Sequence, residues 1–152
     1  MKMRIRGCPA ITIITVVIAA GLLASSAAAY EYTWNTTSGG SWATADNWDK
    51  DTDGGASAVP NAAGEVVHLR QDIAAATTIT LDGDRTIGVL NIGDLATTWS
   101  YYVIATGDPA GSLIFDNGAN PAQLNTHGNY TTITTAQITA PVVLTSDLIM
   151  SR

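Results

Sequence analysis

Turn signals interrupt this chain so often that neither a long helix nor a long strand fits between them. Asp82-Gly83-Asp84, Gly93-Asp94, Gly107-Asp108-Pro109, Asp116-Asn117-Gly118 and His127-Gly128-Asn129 follow one another at short intervals. Glycine and asparagine tolerate positive φ, and aspartate bonds its own backbone, so each cluster bends the chain. Between the clusters lie threonine-rich, β-branched stretches that fit a pleated surface. They predict short strands at 65–69, 77–82, 86–92, 101–106, 112–116, 130–135 and 141–144. In Thr78-Ile79-Thr80-Leu81 apolar and polar residues alternate, the mark of a half-buried strand. The nearest approach to a helix is 62–76, but Gly64 near its start lets it read equally well as strand and turn.

The strand-and-turn units resemble one another. Thr78-Ile79-Thr80-Leu81-Asp82-Gly83 is echoed by Val89-Leu90-Asn91-Ile92-Gly93-Asp94 and by Leu113-Ile114-Phe115-Asp116-Asn117-Gly118. Leu81, Ile92 and Val103 recur at one interval, as do Ile104 and Phe115. Repeated short units of this kind can stack as a β-solenoid, each burying its apolar side on the next. A β-sandwich also spaces its strands closely and is the alternative. The shortness of the strands favours the solenoid.

The first 29 residues have a different composition. Lys2, Arg4 and Arg6 precede an apolar run over 11–23, and small residues follow, ending at Ala27-Ala28-Ala29. This is the pattern of a secretory signal peptide, with cleavage expected after Ala29. The run is shorter than the roughly 20 residues that span a bilayer, so a retained anchor is the weaker reading. Export is expected to the cell surface or the medium, with membrane contact only through this segment.

The whole chain has 152 residues and a formal charge of −6. Without residues 1–29 it keeps all 13 acids and four cations, Lys50, Arg70, Arg85 and Arg152, a charge of −9. No clustered cations remain to neutralise phosphates, so a nucleic-acid partner is not expected. The single cysteine, Cys8, lies in the leader. Thiol catalysis and thiolate metal sites are therefore excluded from the exported part.

Near the start of that part, Trp34-Asn35, Gly39-Gly40-Ser41-Trp42 and Ala45-Asp46-Asn47-Trp48 occur in order. Val59-Pro60-Asn61-Ala62-Ala63-Gly64-Glu65, Thr77-Thr78-Ile79-Thr80-Leu81-Asp82-Gly83 and Gly88-Val89-Leu90-Asn91-Ile92-Gly93-Asp94 follow, then Gly111-Ser112-Leu113-Ile114-Phe115-Asp116-Asn117-Gly118. The series resembles the opening of the autotransporter-associated β-strand repeat proteins, which are large exported bacterial proteins. The resemblance implies a right-handed parallel β-helix of passenger type with no known catalytic residues. Family members are much longer, and this chain stops in the strand-like run Leu148-Ile149-Met150-Ser151. An N-terminal fragment is expected. The resulting division is a leader over 1–29, a tryptophan-rich N-terminal cap over 30–64 and incomplete solenoid rungs over 65–152.

Two groups of residues are candidates for a site. Asp49-Lys50-Asp51-Thr52-Asp53-Gly54 has the alternating carboxylates of a calcium loop, making Asp49, Asp51 and Asp53 the candidate calcium ligands. The position that should carry a bidentate glutamate is Pro60, so a solvated acidic loop is the better reading. Trp34, Trp42 and Trp48 lie close in sequence and could stack on surface glycans. Sealing the end of the solenoid is the favoured role, since terminal repeats need atypical caps.

Nothing else announces chemistry. His68 and His127 stand apart. Glu31 and Glu65 are the only glutamates, and only Arg70 and Arg85 could assist them in the body of the chain. Nucleophile-elbow, phosphate-loop and zinc-protease motifs are absent from the sequence. Asn35-Thr36-Thr37 and Asn129-Tyr130-Thr131 match the glycosylation pattern, which a threonine-rich chain meets readily. The expected function is an exported structural or adhesin-like scaffold without catalysis or cofactor, meeting surface glycans or other surface proteins. The alternative is a carbohydrate-binding or polysaccharide-degrading module of β-helix or jelly-roll type.

Overall fold

A computed structural model describes residues 30–51, 58–95, 100–128 and 136–152. The leader, Asp53 and the strand expected at 130–135 lie outside the described residues. The fold is all-β. Its strands are β1 Glu31–Trp34, β2 Gly40–Ser41, β3 Trp48–Lys50, β4 Val66–Leu69, β5 Thr77–Leu81, β6 Arg85–Ile87 and β7 Val89–Ile92. They continue with β8 Tyr102–Thr106, β9 Leu113–Phe115, β10 Ala122–Thr126, β11 Gln137–Ile138, β12 Val142–Leu144 and β13 Leu148–Ser151. One 3-10 turn at Ala45–Asn47 is the only helical element among the described residues.

The strands form three sheets. The largest runs β13-β10-β7-β4-β1-β3, the second β11-β8-β5-β2 and the third β12-β9-β6. Each pair is parallel except β1 with β3 at one edge, which is antiparallel. From β4 onward the chain visits the largest, second and third sheet in turn, so each strand pairs with the third one after it. Parallel neighbours require a long crossover. Here the crossover consists of the two intervening strands in the other sheets.

Side-chain alternation sorts each strand into an inner and an outer set. In the largest sheet Tyr32, Val67 and Leu90 stand in one inward register, and Trp34, Leu69 and Ile92 belong to the same buried face. In the second sheet Ile79 pairs with Ile104, and in the third Ile87 pairs with Phe115, all four fully or almost fully buried. Each such aliphatic or aromatic side chain contributes about 1.5–3 kcal/mol on burial. At the opposite end to β3, Val142, Val143 and Leu144 of β12 and Ile149 and Met150 of β13 are exposed.

The corners explain where strands begin and end. The expected strand at 86–92 divides into β6 and β7 because Gly88 sits at a corner. A Cβ there would lie 2.6 Å from the Gly64 Cα, so only glycine allows this approach. The Gly88 and Val89 amides both donate to the Glu65 carbonyl, at 2.8 and 3.0 Å. The turn aspartates also tie successive layers together. Asp84 Oδ1 accepts from the Ser112 amide at 2.8 Å, and Asp82 Oδ1 from the Asp108 amide at 3.1 Å.

The similar units noted in the sequence are not stacking partners. Thr78 to Leu81 lie in the second sheet, Val89 to Ile92 in the largest and Leu113 to Phe115 in the third. Leu81 pairs with Thr106, and Ile92 pairs with Leu69 and Thr126. The common interval therefore separates strands of different sheets. Strands β1, β2, β3, β10 and β11 lie outside the expected ranges: β2 and β11 span two residues each, and β10 has one aliphatic branched residue, Leu124, and no alternating run.

Candidate functional site

One of the two outward rows of the largest sheet is continuously polar, while the other, Glu31-Val66-Val89-Gln123-Ile149, is largely apolar. Asp49 pairs with Thr33, Thr33 with His68, His68 with Asn91, Asn91 with Asn125 and Asn125 with Ser151. Thr33, His68 and Asn91 face away from the core because their strand neighbours Tyr32, Trp34, Val67, Leu69, Leu90 and Ile92 are buried. Adjacent strands place successive members about 4.8 Å apart, through parallel pairing from Thr33 to Ser151 and antiparallel pairing between Thr33 and Asp49.

Hydrogen bonds run along this row. Asn125 Nδ2 donates to Asn91 Oδ1 at 3.0 Å, and the Ser151 hydroxyl donates to Asn125 Oδ1 at 2.6 Å. His127 Nε2 lies 3.5 Å from the same Asn91 oxygen and bonds it when its proton is on that nitrogen. At the other end Asn35 Nδ2 donates to Asp49 Oδ1 at 3.1 Å. His68 Nε2 is 3.5 Å from Glu31 Oε2. Burial, then the charge of Arg70, then that of His68, hold His127 below its ordinary value, which favours the neutral ring. The row thus offers amide, hydroxyl and imidazole groups in a line, a surface suited to hydroxyl-rich ligands. Among the described residues Ser151 donates to an amide oxygen and not to an imidazole.

The two histidines read as isolated in the sequence both lie beside Asn91, His68 as its register partner and His127 with Nε2 3.5 Å from its side-chain oxygen. No sequence signal foretold this, because the residues come from different passes of the chain through one sheet. The glutamates separate instead. Glu31 is outward and exposed, whereas Glu65 is buried and accepts from the Asn61 and Ala62 amides at 2.6 and 2.9 Å and from the Tyr32 hydroxyl at 3.2 Å. Glycoside hydrolysis requires two carboxylates facing one substrate, and these two face opposite sides of the sheet. Arg85 Nη2 donates to the Asp82 carbonyl at 2.6 Å.

The three tryptophans come together as a buried cluster. Trp34 and Trp42 have no exposed surface and Trp48 keeps 6%. Trp48 stands edge-on to both, with centroids 5.0 Å from Trp34 and 4.8 Å from Trp42. Their indole N–H groups donate to the Ser38, Pro60 and Trp42 carbonyls. The cluster lies beneath the edge strands β2 and β3.

Asp49 and Asp51 lie on one side of β3 and its extension. The third calcium candidate, Asp53, lies outside the described residues. Among the described residues no three His, Cys, Asp or Glu gather closely enough to hold a metal ion. No described helix is long and apolar enough to cross a membrane. Comparison with protein families, with curated proteins and with solved structures found no match.

Proposed function

We propose that this protein is an exported, non-catalytic scaffold built as a parallel β-helix, of the passenger type seen in autotransporter-associated β-strand repeat proteins. The observation that carries this reading is the cyclic order of the three sheets, with each strand parallel to the third one after it. Such stacking makes a rod with an apolar inside and polar faces available along its length. The tryptophan cluster under β2 and β3 supports a cap at one end. The leader pattern at 1–29 supports delivery to the surface. The test is to express the whole chain in a bacterial host. Cleavage after Ala29, detection on intact cells and no release of reducing sugar from polysaccharides are expected. Retention in the cytoplasm, or robust sugar release, would overturn the reading.

The polar row from Asp49 to Ser151 favours a second reading, in which the rod carries a carbohydrate-binding face. A glycan array separates the two: binding retained on a folded chain and lost in Asn125→Ala supports this face. Calcium bound through Asp49, Asp51 and Asp53 is a further proposal, which calorimetric titration with calcium decides.

A further inference from the structure

We propose that two copies of this chain join end to end, through antiparallel pairing of β13 with β13 of the second copy. This goes beyond the scaffold reading and depends neither on export nor on glycan binding.

The two ends of the stack are finished differently. At the end made by β3, β2 and β6, side chains occupy outer backbone groups. Asn47 Nδ2 donates to the Ser41 carbonyl of β2 at 3.0 Å, and the Thr86 amide of β6 donates to Asn61 Oδ1 at 2.9 Å. Strand β3 carries the charged residues Asp49 and Lys50. Such devices keep an edge from pairing further. The other end is made by β11, β12 and β13, the last strands of their sheets. They contain no charged residue and no proline. Among the described residues no side chain bonds the outer backbone groups of Leu148 or Met150.

Register shows what β13 offers. The Ala122 amide donates to the Asp147 carbonyl at 2.7 Å. In a parallel ladder alternate residues bond the neighbouring strand, so Leu148 and Met150 turn their N–H and C=O away from β10. The side chains of these two point inward, as register partners of Ala122 and Leu124, yet Met150 is 71% exposed. Ile149 points outward and is 52% exposed.

A two-fold axis at Ile149 serves all of these groups at once. It sets Leu148 of each copy opposite Met150 of the other, and each such pair exchanges both of its N–H···O bonds. Opposite residues of an antiparallel pair share a face, so Leu148 and Met150 meet inside and the two Ile149 side chains meet outside. Val142 and Leu144, exposed on the same end, then face the second copy instead of water.

Charge selects the partner. Residues 136–152 hold one acid, Asp147, and one cation, Arg152, just before and just after β13. Two whole chains at −6 repel, but these ends are neutral. Pairing about Ile149 sets Asp147 opposite Ser151 of the second copy and next to its Arg152, and the axis repeats the contact. A patch that meets itself in this way closes as a dimer. A head-to-tail stack would instead set β13 against the end that side chains already occupy.

The test weighs the whole chain by sedimentation equilibrium over a concentration series. A monomer–dimer equilibrium that stops at two copies is expected. Asp147→Arg and Arg152→Asp are each expected to weaken it roughly tenfold, since the axis doubles every new repulsion, and the two together to restore it. In a Cys8→Ser background, Ile149→Cys is expected to link the two copies under mild oxidation, because the axis brings these positions side by side. Monomer at every concentration, or growth past two copies, overturns the proposal. A dimer that ignores both charge reversals, or that Ile149→Cys fails to link, also overturns it, since that dimer forms elsewhere on the chain. The wild-type mass and the Ile149→Cys link decide the matter even where a charge variant fails to fold.

Discussion

Trp48 meets Trp34 edge to face, with ring centroids 5.0 Å apart and planes at 86°. The pair joins the antiparallel edge strand β3 to β1, where the two residues are also direct register partners. Removing either ring opens a cavity beneath the edge. Trp48→Ala is expected to cost about 3–5 kcal/mol in chemical denaturation. Trp48→Phe keeps most of the packing and loses the N–H donated to the Trp42 carbonyl, so it is expected to cost about 1 kcal/mol. Equal midpoints for wild type and Trp48→Ala would show that the cluster does not stabilise the fold.

Glu65 gathers three donors in a buried place: the Tyr32 hydroxyl and the Asn61 and Ala62 amides. Glu65→Ala strands all three and is expected to destabilise by about 2–3 kcal/mol. Glu65→Gln retains an acceptor and is expected to cost less. Urea denaturation of the two variants gives the order.

Burial and the neighbouring Glu65 raise the Tyr32 phenol from 10.0 to about 12, and burial raises Tyr102 to about 12. Both phenols are therefore held neutral in the fold. Their contribution to stability is complete below pH 10 and is lost as pH rises from there toward 12. The melting midpoint is expected to fall across that window, less steeply in Tyr32→Phe.

His127 works in the opposite direction. Its folded value lies below 6.5, with burial as the first cause, so folding favours the neutral ring. Its contribution is present above pH 6.5 and fades as pH falls through the folded value. His127→Gln is expected to flatten the acid side of a melting-midpoint profile measured below neutrality.

Val143 and Met150 are 42% and 71% exposed on β12 and β13, the last strands of their sheets. Edge strands with apolar side chains invite further pairing. Val143→Lys with Met150→Lys is expected to leave the melting midpoint within about 0.5 kcal/mol of stability, as surface changes do. It is also expected to reduce concentration-dependent association in light scattering.

The strands with alternating residues were legible in the sequence: β4, β5, β8 and β9 lie within a residue or two of the expected ranges. Short-range chemistry governs these, because alternation and turn residues act locally. The break at Gly88 was not legible, since it depends on the Gly64 backbone pressing from another layer. Nor was the row from Asp49 to Ser151, or the placing of both His68 and His127 beside Asn91. Those arise from register between passes of the chain, and no local pattern encodes which residue will lie beside which. Asp84 illustrates both levels: it reads as a turn residue, and in the fold it also holds the Ser112 amide of the next layer.

The varying separation between stacked partners has a consequence for how such a chain can change over time. Val67 faces Leu90, and Leu90 faces Leu124, at unequal distances along the sequence. Extra residues can therefore be accommodated at bends without disturbing what lies inside, whereas a single deletion within β7 would turn Leu90 outward and Asn91 inward. Length can therefore vary only at bends that, unlike the corner at Gly88, are not pressed against another layer, while the in-and-out rhythm of the strands tolerates no such change.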